Sequence, residues 1–217
     1  DGGRRFVDVS AATGLTFEGH ATTPVWGDYD NDGRPDLYVA KFLVNVTHYR
    51  DHLFHNDPAT GSGGHFHDVL TPLLDQHDAS HGVQWVDFDN DGALDLALAN
   101  NDPGGGHYLF RNRLSPELAR RGLSVDVVDA HGRHTLAGAE VRVYAAGTRR
   151  LISSGLVDTG GGYCSQNVMP VHVAAGDAPR VDIEVASMST HGRKVTALRN
   201  VKVGTSSSSV RVSVSRP

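Results

Sequence analysis

The second half of the chain alternates. From Leu123 onward, apolar residues fall at every other position in short runs: Val125 and Val127; Val141 and Val143; Val171 and Val173; Val181, Ile183 and Val185; Val201 and Val203; Val210, Val212 and Val214. Gly and Asn/Asp/Ser turns separate the runs. A period of two turns one face of each run onto a core, so residues 123–217 are expected to form an antiparallel β-domain. The serine run at 206–209 reads as a hairpin loop inside it. Leu114–Gly122 (LSPELARRG) is the one helix the pattern predicts, with Ser115 at the N-cap, Pro116 at the first helical position and Gly122 at its end. It is expected to link that domain to residues 1–113.

The first half is repetitive instead. Trp26–Ala40 (WGDYDNDGRPDLYVA) and Trp85–Ala99 (WVDFDNDGALDLALA) are copies 59 residues apart, and His52-Leu53-Phe54-His55-Asn56 matches Tyr108-Leu109-Phe110-Arg111-Asn112. Each copy has a predicted strand entering its loop (Pro24–Gly27; Val83–Val86), one leaving it (Leu37–Phe42; Leu94–Ala99) and a third after it (Asp51–His55; His107–Arg111). The Ala- and Leu-rich Leu94–Ala99 reads as a strand mainly by analogy with its copy. His65–Leu70 adds a fourth strand to the first unit. Arg5–Ser10 matches that fourth strand, Phe6-Val7-Asp8-Val9 against Phe66-His67-Asp68-Val69, and is expected to complete the sheet of a neighbouring blade. A period near 60 residues with several short strands predicts β-propeller-type blades. The fold class expected is therefore all-β: two such blades, then the C-terminal antiparallel β-domain. A propeller has roughly four to eight blades. The chain is then a piece of something longer, or its sheet edges are covered by its own C-terminal half or by another subunit of a homo-oligomer.

The repeated loops carry the chemistry. Each reads D-x-D-x-D-G-x-x-D: Asp28, Asp30, Asp32, Gly33 and Asp36, then Asp87, Asp89, Asp91, Gly92 and Asp95. Four carboxylates within nine residues repel one another unless a cation sits among them, and an all-oxygen set favours Ca²⁺. Arg34 and Ala93, at the seventh positions, are expected to add backbone carbonyls. The twelfth position, a bidentate Glu in an EF-hand, is Val39 or Leu98 here, so these are strand–loop–strand sites closed by Asp36 and Asp95.

Composition fits that picture. The formal charge is −5, and eight of the 25 acidic residues lie in the two loops. Two Ca²⁺ ions would bring the charge to −1, so the acidity belongs to the metal sites. The 17 Arg and 3 Lys are scattered, which argues against nucleic acid as a partner. No run approaches the ~18 apolar residues of a membrane span. A single cysteine, Cys164, excludes an intrachain disulfide and a CxxC metal site. No signal peptide is read at Asp1, and the missing Met is as expected of a trimmed chain. Asp-rich Ca²⁺ loops of modest affinity suit places where Ca²⁺ is abundant, so an extracellular or periplasmic location is expected.

DYDNDGRPDLYVA and DFDNDGALDLALAN, each followed by L-F-x-N, resemble the FG-GAP/VCBS repeats of integrin-type propellers. In the second half, G-A-x-V-x-V at Gly138–Val143, G-G-G-Y-x-S-Q at Gly160–Gln166 and the later V-H-x-x-x-G resemble an ASPIC/UnbV domain. The order of parts is similar to that of the cartilage acidic protein 1 family. The chain departs from the family at His172-Val173-Ala174-Ala175-Gly176, where H-F-G-L-G is usual, and at Ser187–Gly192, where W-P-S-G is usual. The resemblance implies an extracellular calcium-binding protein with an adhesion or ligand-binding role, its partner a protein, a glycan or a small apolar ligand. Some microbial relatives imply an alternative: a Ca²⁺-dependent enzyme of secondary metabolism, a cyclase or isomerase.

For that enzyme, His20 and His81, each upstream of a loop, are the candidate proton-transfer groups. His48, His52, His55, His65 and His67 could form a transition-metal or acid/base site, against the plainer reading of a polar blade face. Trp26 and Trp85, as repeat equivalents, are expected to pack between blades. Cys164 reads as a small buried residue, and Asn45-Val46-Thr47 fits a glycosylation sequon.

Overall fold

Thr23 and Val25, buried at alternate positions, make Ala21–Gly27 a strand (β1), and the first Asp loop turns it back as β2 (Asp36–Lys41). Two more antiparallel strands, β3 (His52–Asp57) and β4 (His65–Asp68), complete a four-stranded sheet in the order β1-β2-β3-β4. The second copy repeats the design with β5 (Ser80–Val86), β6 (Asp95–Asn100) and the short β7 (Tyr108–Phe110), in a three-stranded sheet. The computed structural model describes residues 5–41, 49–58, 65–74, 80–100, 106–160, 170–189, 192–204 and 208–214.

The two sheets share a core. Val25, Tyr38, Ala40, Leu53 and Leu70 of the first meet Val83, Trp85, Leu94, Leu96 and Leu98 of the second. Thr22 and Thr23 hydroxyls donate across the seam to the Ser80 and His81 carbonyls at 3.0 and 2.5 Å. Trp85 lies on Gly27, where an added Cβ would come within 2.6 Å of the indole. That contact requires glycine by space, not by backbone angle.

The expected equivalence of the tryptophans fails here. Trp85 is buried, while Trp26 is 55% exposed, touching Phe66 edge-on at 5.9 Å. Trp85 has the preceding sheet to dock on; among the described residues, no sheet covers Trp26. Arg5–Ser10 likewise forms no strand. Phe6 is fully exposed, and Ser10–Thr13 forms a single helical turn, α1, ended by Gly14 at φ +83°. The segment has strand-like sequence but no paired edge among the described residues.

The predicted nine-residue helix is one turn, α2 (Pro116–Ala119), with the Ser115 hydroxyl accepting from Leu118 N. Gly122 does not end it. It opens the next strand, β8 (Gly122–Asp129), where a Cβ would lie 2.0 Å from the Gly92 carbonyl oxygen. The remaining strands are β9 (Glu140–Ala145), β10 (Leu151–Leu156), β11 (Val171–Ala174), β12 (Arg180–Ser189), β13 (Gly192–Lys202) and β14 (Ser208–Val214). They build one sheet in the order β10-β9-β12-β13 and a second in the order β11-β8-β14. The alternating residues Val125, Val127, Val141, Val143, Val173, Val181, Ile183 and Val185 fill the space between them.

Two expectations for this half are corrected. The domain is not wholly antiparallel, because β14 runs parallel to β8, from Ser208 beside Leu123 to Val214 beside Asp129. Nor is the serine run a hairpin: Ser208 and Ser209 already belong to β14, which lies in the other sheet from β13. Residues 206–207, like Cys164, the Asn45 sequon and His48, lie outside the described residues. The sheets are all open, and among the described residues no helix is long and apolar enough to cross a membrane.

Candidate metal centres

In each copy a strand ends, nine loop residues carry the carboxylates, and the return strand begins at the last of them. The loops share their main hydrogen bonds. Asp28 accepts the Asp32 and Gly33 amides at 3.0 and 2.8 Å; Asp87 accepts those of Asp91 and Gly92 at 3.0 and 3.1 Å. Asp36 accepts the Tyr29 amide and Asp95 the Phe88 amide, both at 3.2 Å. Asp32 takes the amide of Arg34 and Asp91 that of Ala93, at 2.8 and 2.9 Å. Asn31 and Asn90 sit at φ +59° and +57°, and Gly33 and Gly92 at +93° and +94°. Asn tolerates that left-handed region better than most residues and Gly adopts it freely, so the fourth and sixth positions of each loop suit their conformations.

The third strand closes each cage. Asn56 and Asn112, the last residues of the two L-F-x-N segments, donate their amides to Asp36 and Asp95 at 2.8 and 2.7 Å. Their side chains hold the loop backbone at the Pro35 and Leu94 carbonyls, both at 3.0 Å. The residue just before each Asn reaches the second loop carboxylate, at the third loop position. His55 Nε2 lies 3.0 Å from Asp30, and Arg111 Nε lies 2.7 Å from Asp89. The sequence aligned these strands, but nothing local in it showed that His55 and Arg111 point into the cages.

Asp28, Asp30 and Asp36 converge in the first loop, and Asp87, Asp89 and Asp95 in the second, closely enough for each trio to hold a metal ion. Asp32 and Asp91 belong to neither trio, though Asp32 groups with Asp30 and His55. Asp32 pairs with the Arg34 guanidinium, and Asp91 lies 3.2 Å from Arg111. Burial, reinforced by the neighbouring carboxylates, pushes Asp28 and Asp36 each up to about 7. Burial likewise raises Asp32, Asp87 and Asp95. Backbone amides offset only part of this, so ionising these carboxyls is costly without a cation beside them.

His20 and His81 do not join the cages. His20 precedes β1 and His81 stands at the start of β5, whereas Asp28 and Asp87 follow the far ends of those strands. About 20 Å of strand separates each histidine from its loop.

Asn31 ties the first loop to the rest of the molecule, a role that is not legible in the sequence. Fully buried, its amide nitrogen donates to the Gly92 and Leu118 carbonyls at 2.8 and 3.2 Å, and its oxygen lies 2.8 Å from His172 Nε2. Asn90, its counterpart, is exposed. Gly33 packs against β10, where a Cβ would meet the Ile152 carbonyl oxygen at 2.7 Å.

A half-open cleft of roughly 600 Å³ runs beside the second loop, lined in part by Asp91, Arg111, Arg113 and Arg120.

No protein-family model matches the chain, and no curated protein matches it.

Proposed function

We propose that the chain is a Ca²⁺-ordered binding module that works outside the cytoplasm. One observation carries this reading: two loops 59 residues apart repeat the same hydrogen-bond scheme around the same converging carboxylates. An Asx-rich turn without a metal has no need to gather like charges around buried carboxyls. All-carboxylate donors with backbone oxygens nearby suit a hard cation, and Ca²⁺ tolerates such irregular cages better than Mg²⁺. Asp28, Asp30, Asp32 and Asp36 with the Arg34 carbonyl would hold one ion. Asp87, Asp89, Asp91 and Asp95 with the Ala93 carbonyl would hold the other. Each ion supplies positive charge and fixes the turn between two strands.

The four-stranded and three-stranded sheets, each with such a loop between its first two strands, support the reading of propeller-type blades. Together with the motifs of the second half, they support membership of the cartilage acidic protein 1 family and an adhesion or ligand-binding role. The cleft beside the second cage is the face we assign to the ligand. Arg111, Arg113 and Arg120 there suit an acidic group on a protein or glycan.

The test is an immobilised panel of proteins and acidic glycans, probed with the chain in Ca²⁺ and in EGTA. Binding that needs Ca²⁺ and falls several-fold in an Arg113→Ala, Arg120→Ala double variant supports the proposal. Binding unchanged by EGTA, or no binding to any acidic surface in Ca²⁺, overturns it.

A further inference from the structure

Adjacent strands of the first sheet carry a second kind of metal site. In the β3–β4 ladder His55 lies directly opposite His67, and Asp57 opposite His65. Positions two apart on a strand share a face, and so do directly opposed residues, so these four side chains form one block on one face of the sheet. Three of them converge. His55 Nδ1 lies 3.0 Å from one Asp57 oxygen and His67 Nδ1 lies 2.5 Å from the other, with the two rings edge-to-face at 5.4 Å. All three donor atoms fall within 4.8 Å of one another.

We infer that His55, Asp57 and His67 bind a borderline divalent transition metal of the Zn²⁺ class, at a site separate from the two carboxylate cages. The donor set decides the metal. Two imidazoles and one carboxylate match Zn²⁺ and its neighbours, whereas Ca²⁺ takes oxygen almost exclusively. The spacings decide the geometry. A tetrahedron with bonds of ~2.0–2.1 Å has edges of about 3.4 Å, so the three ligands need to open only slightly around an ion.

His55 is already oriented for the task. Its other nitrogen, Nε2, faces Asp30 at 3.0 Å. A carboxylate there holds the proton on Nε2 and turns the Nδ1 lone pair toward Asp57 and His67, which is the arrangement that steadies metal-binding histidines. Asp30 thus serves the calcium cage with its carboxylate and the second site through His55. His67 is about half exposed, so the ion is reached from solvent and a fourth position stays open to water or to His65.

The test is isothermal titration of the Ca²⁺-saturated chain with Zn²⁺, so that the Asp cages are filled beforehand. The wild type is expected to bind one Zn²⁺ that His67→Ala and Asp57→Asn each weaken by at least about tenfold, as loss of a ligand should exceed loss of a supporting contact. Both substitutions are at the surface, and thermal melts together with unchanged Ca²⁺ binding show that the variants are folded. Wild-type Zn²⁺ affinity in His67→Ala, or Zn²⁺ that binds only by displacing Ca²⁺, overturns the inference.

Discussion

His172 Nε2 and Asn31 Oδ1 meet at 2.8 Å across 141 residues of chain. The direction of that bond is set by its surroundings. Asn31 Nδ2 is committed to the Gly92 and Leu118 carbonyls, so Oδ1 faces the histidine and Nε2 carries the proton. The loop that gathers the first set of carboxylates is thereby fastened to the second loop, to α2 and to β11 by one side chain. Asn31→Ala leaves the Gly92 carbonyl and the His172 N–H without their partner in a buried place, and keeps a non-glycine residue at positive φ. It should cost about 3 kcal/mol. Asn90→Ala has the same backbone angle but an exposed side chain, and should cost about 1 kcal/mol or less. Urea denaturation of the two variants, side by side, measures the difference.

His172 also predicts a pH dependence. With Nε2–H donating, its Nδ1 is buried with no hydrogen-bond partner among the described residues, and burial pushes the ring down to about 4. An unfolded histidine titrates near 6.5. Between these values the unfolded chain binds a proton that the folded chain refuses, so stability falls as the pH drops from about 6.5 to about 4 and is regained above 6.5. The loss from this one group is on the order of 3 kcal/mol. His172→Gln keeps a side-chain N–H for Asn31 and removes the titration. Melts from pH 7.5 to 4.5 should show a steeper decline for the wild type than for the variant; parallel curves would assign the acid sensitivity to other groups.

The Asp loops were legible because their chemistry is local: nine residues fix both the turn and the charge. The strands around them were legible because alternation is local too. What depended on distant partners was not. Alternation in Val210, Val212 and Val214 marks a strand but carries no direction, so the parallel seat of β14 beside β8 could not be read. The helix ends at Ala119, and Gly122 instead opens β8 where the Gly92 carbonyl, thirty residues away in sequence, leaves no room for a side chain. Trp26 and Trp85 precede similar loops, but among the described residues only Trp85 has a sheet to pack on. The histidine pair His55 and His67 needed the β3–β4 register before their spacing meant anything.

The two cages differ in their neighbouring cation, and that difference should appear in their affinities. Arg111 holds Asp89 and Asp91 with a charge that cannot be removed, while the equivalent His55 faces Asp30. A guanidinium among the ligands competes with the incoming ion. Arg111→Gln should therefore tighten Ca²⁺ binding at the second site several-fold at low salt and less at high salt, because the arginine is exposed and screened. Arg34→Ala, which places in the first loop the residue found at the same position of the second, should free Asp32 and tighten the first site in the same way. Calcium titrations of both variants at two ionic strengths check the prediction, and unchanged affinities would show that the arginines move aside without cost.

Removing calcium should loosen the molecule well beyond the loops. A ligand that binds only the folded chain stabilises it by about 2.7 kcal/mol at a hundred times its Kd, so two filled cages contribute roughly 5 kcal/mol. For a chain of this size that corresponds to a melting temperature lower by on the order of 10 °C in EGTA. The effect should reach the C-terminal half, since the first loop touches β10 through Gly33 and β11 through Asn31. Hydrogen exchange in β10 and β11 should accelerate on chelation, together with exchange in β2 and β6. The Asp30→Asn, Asp89→Asn double variant should melt near the EGTA value of the wild type whether or not Ca²⁺ is present. Such a variant tests the metal reading with little risk of simple misfolding, because both carboxylates are partly exposed and neither accepts the amides that shape the strand ends. If it keeps a calcium-dependent rise in melting temperature, the ions are held elsewhere; if chelation moves β2 and β6 but not β10 and β11, the cages order the sheets without bracing the second half.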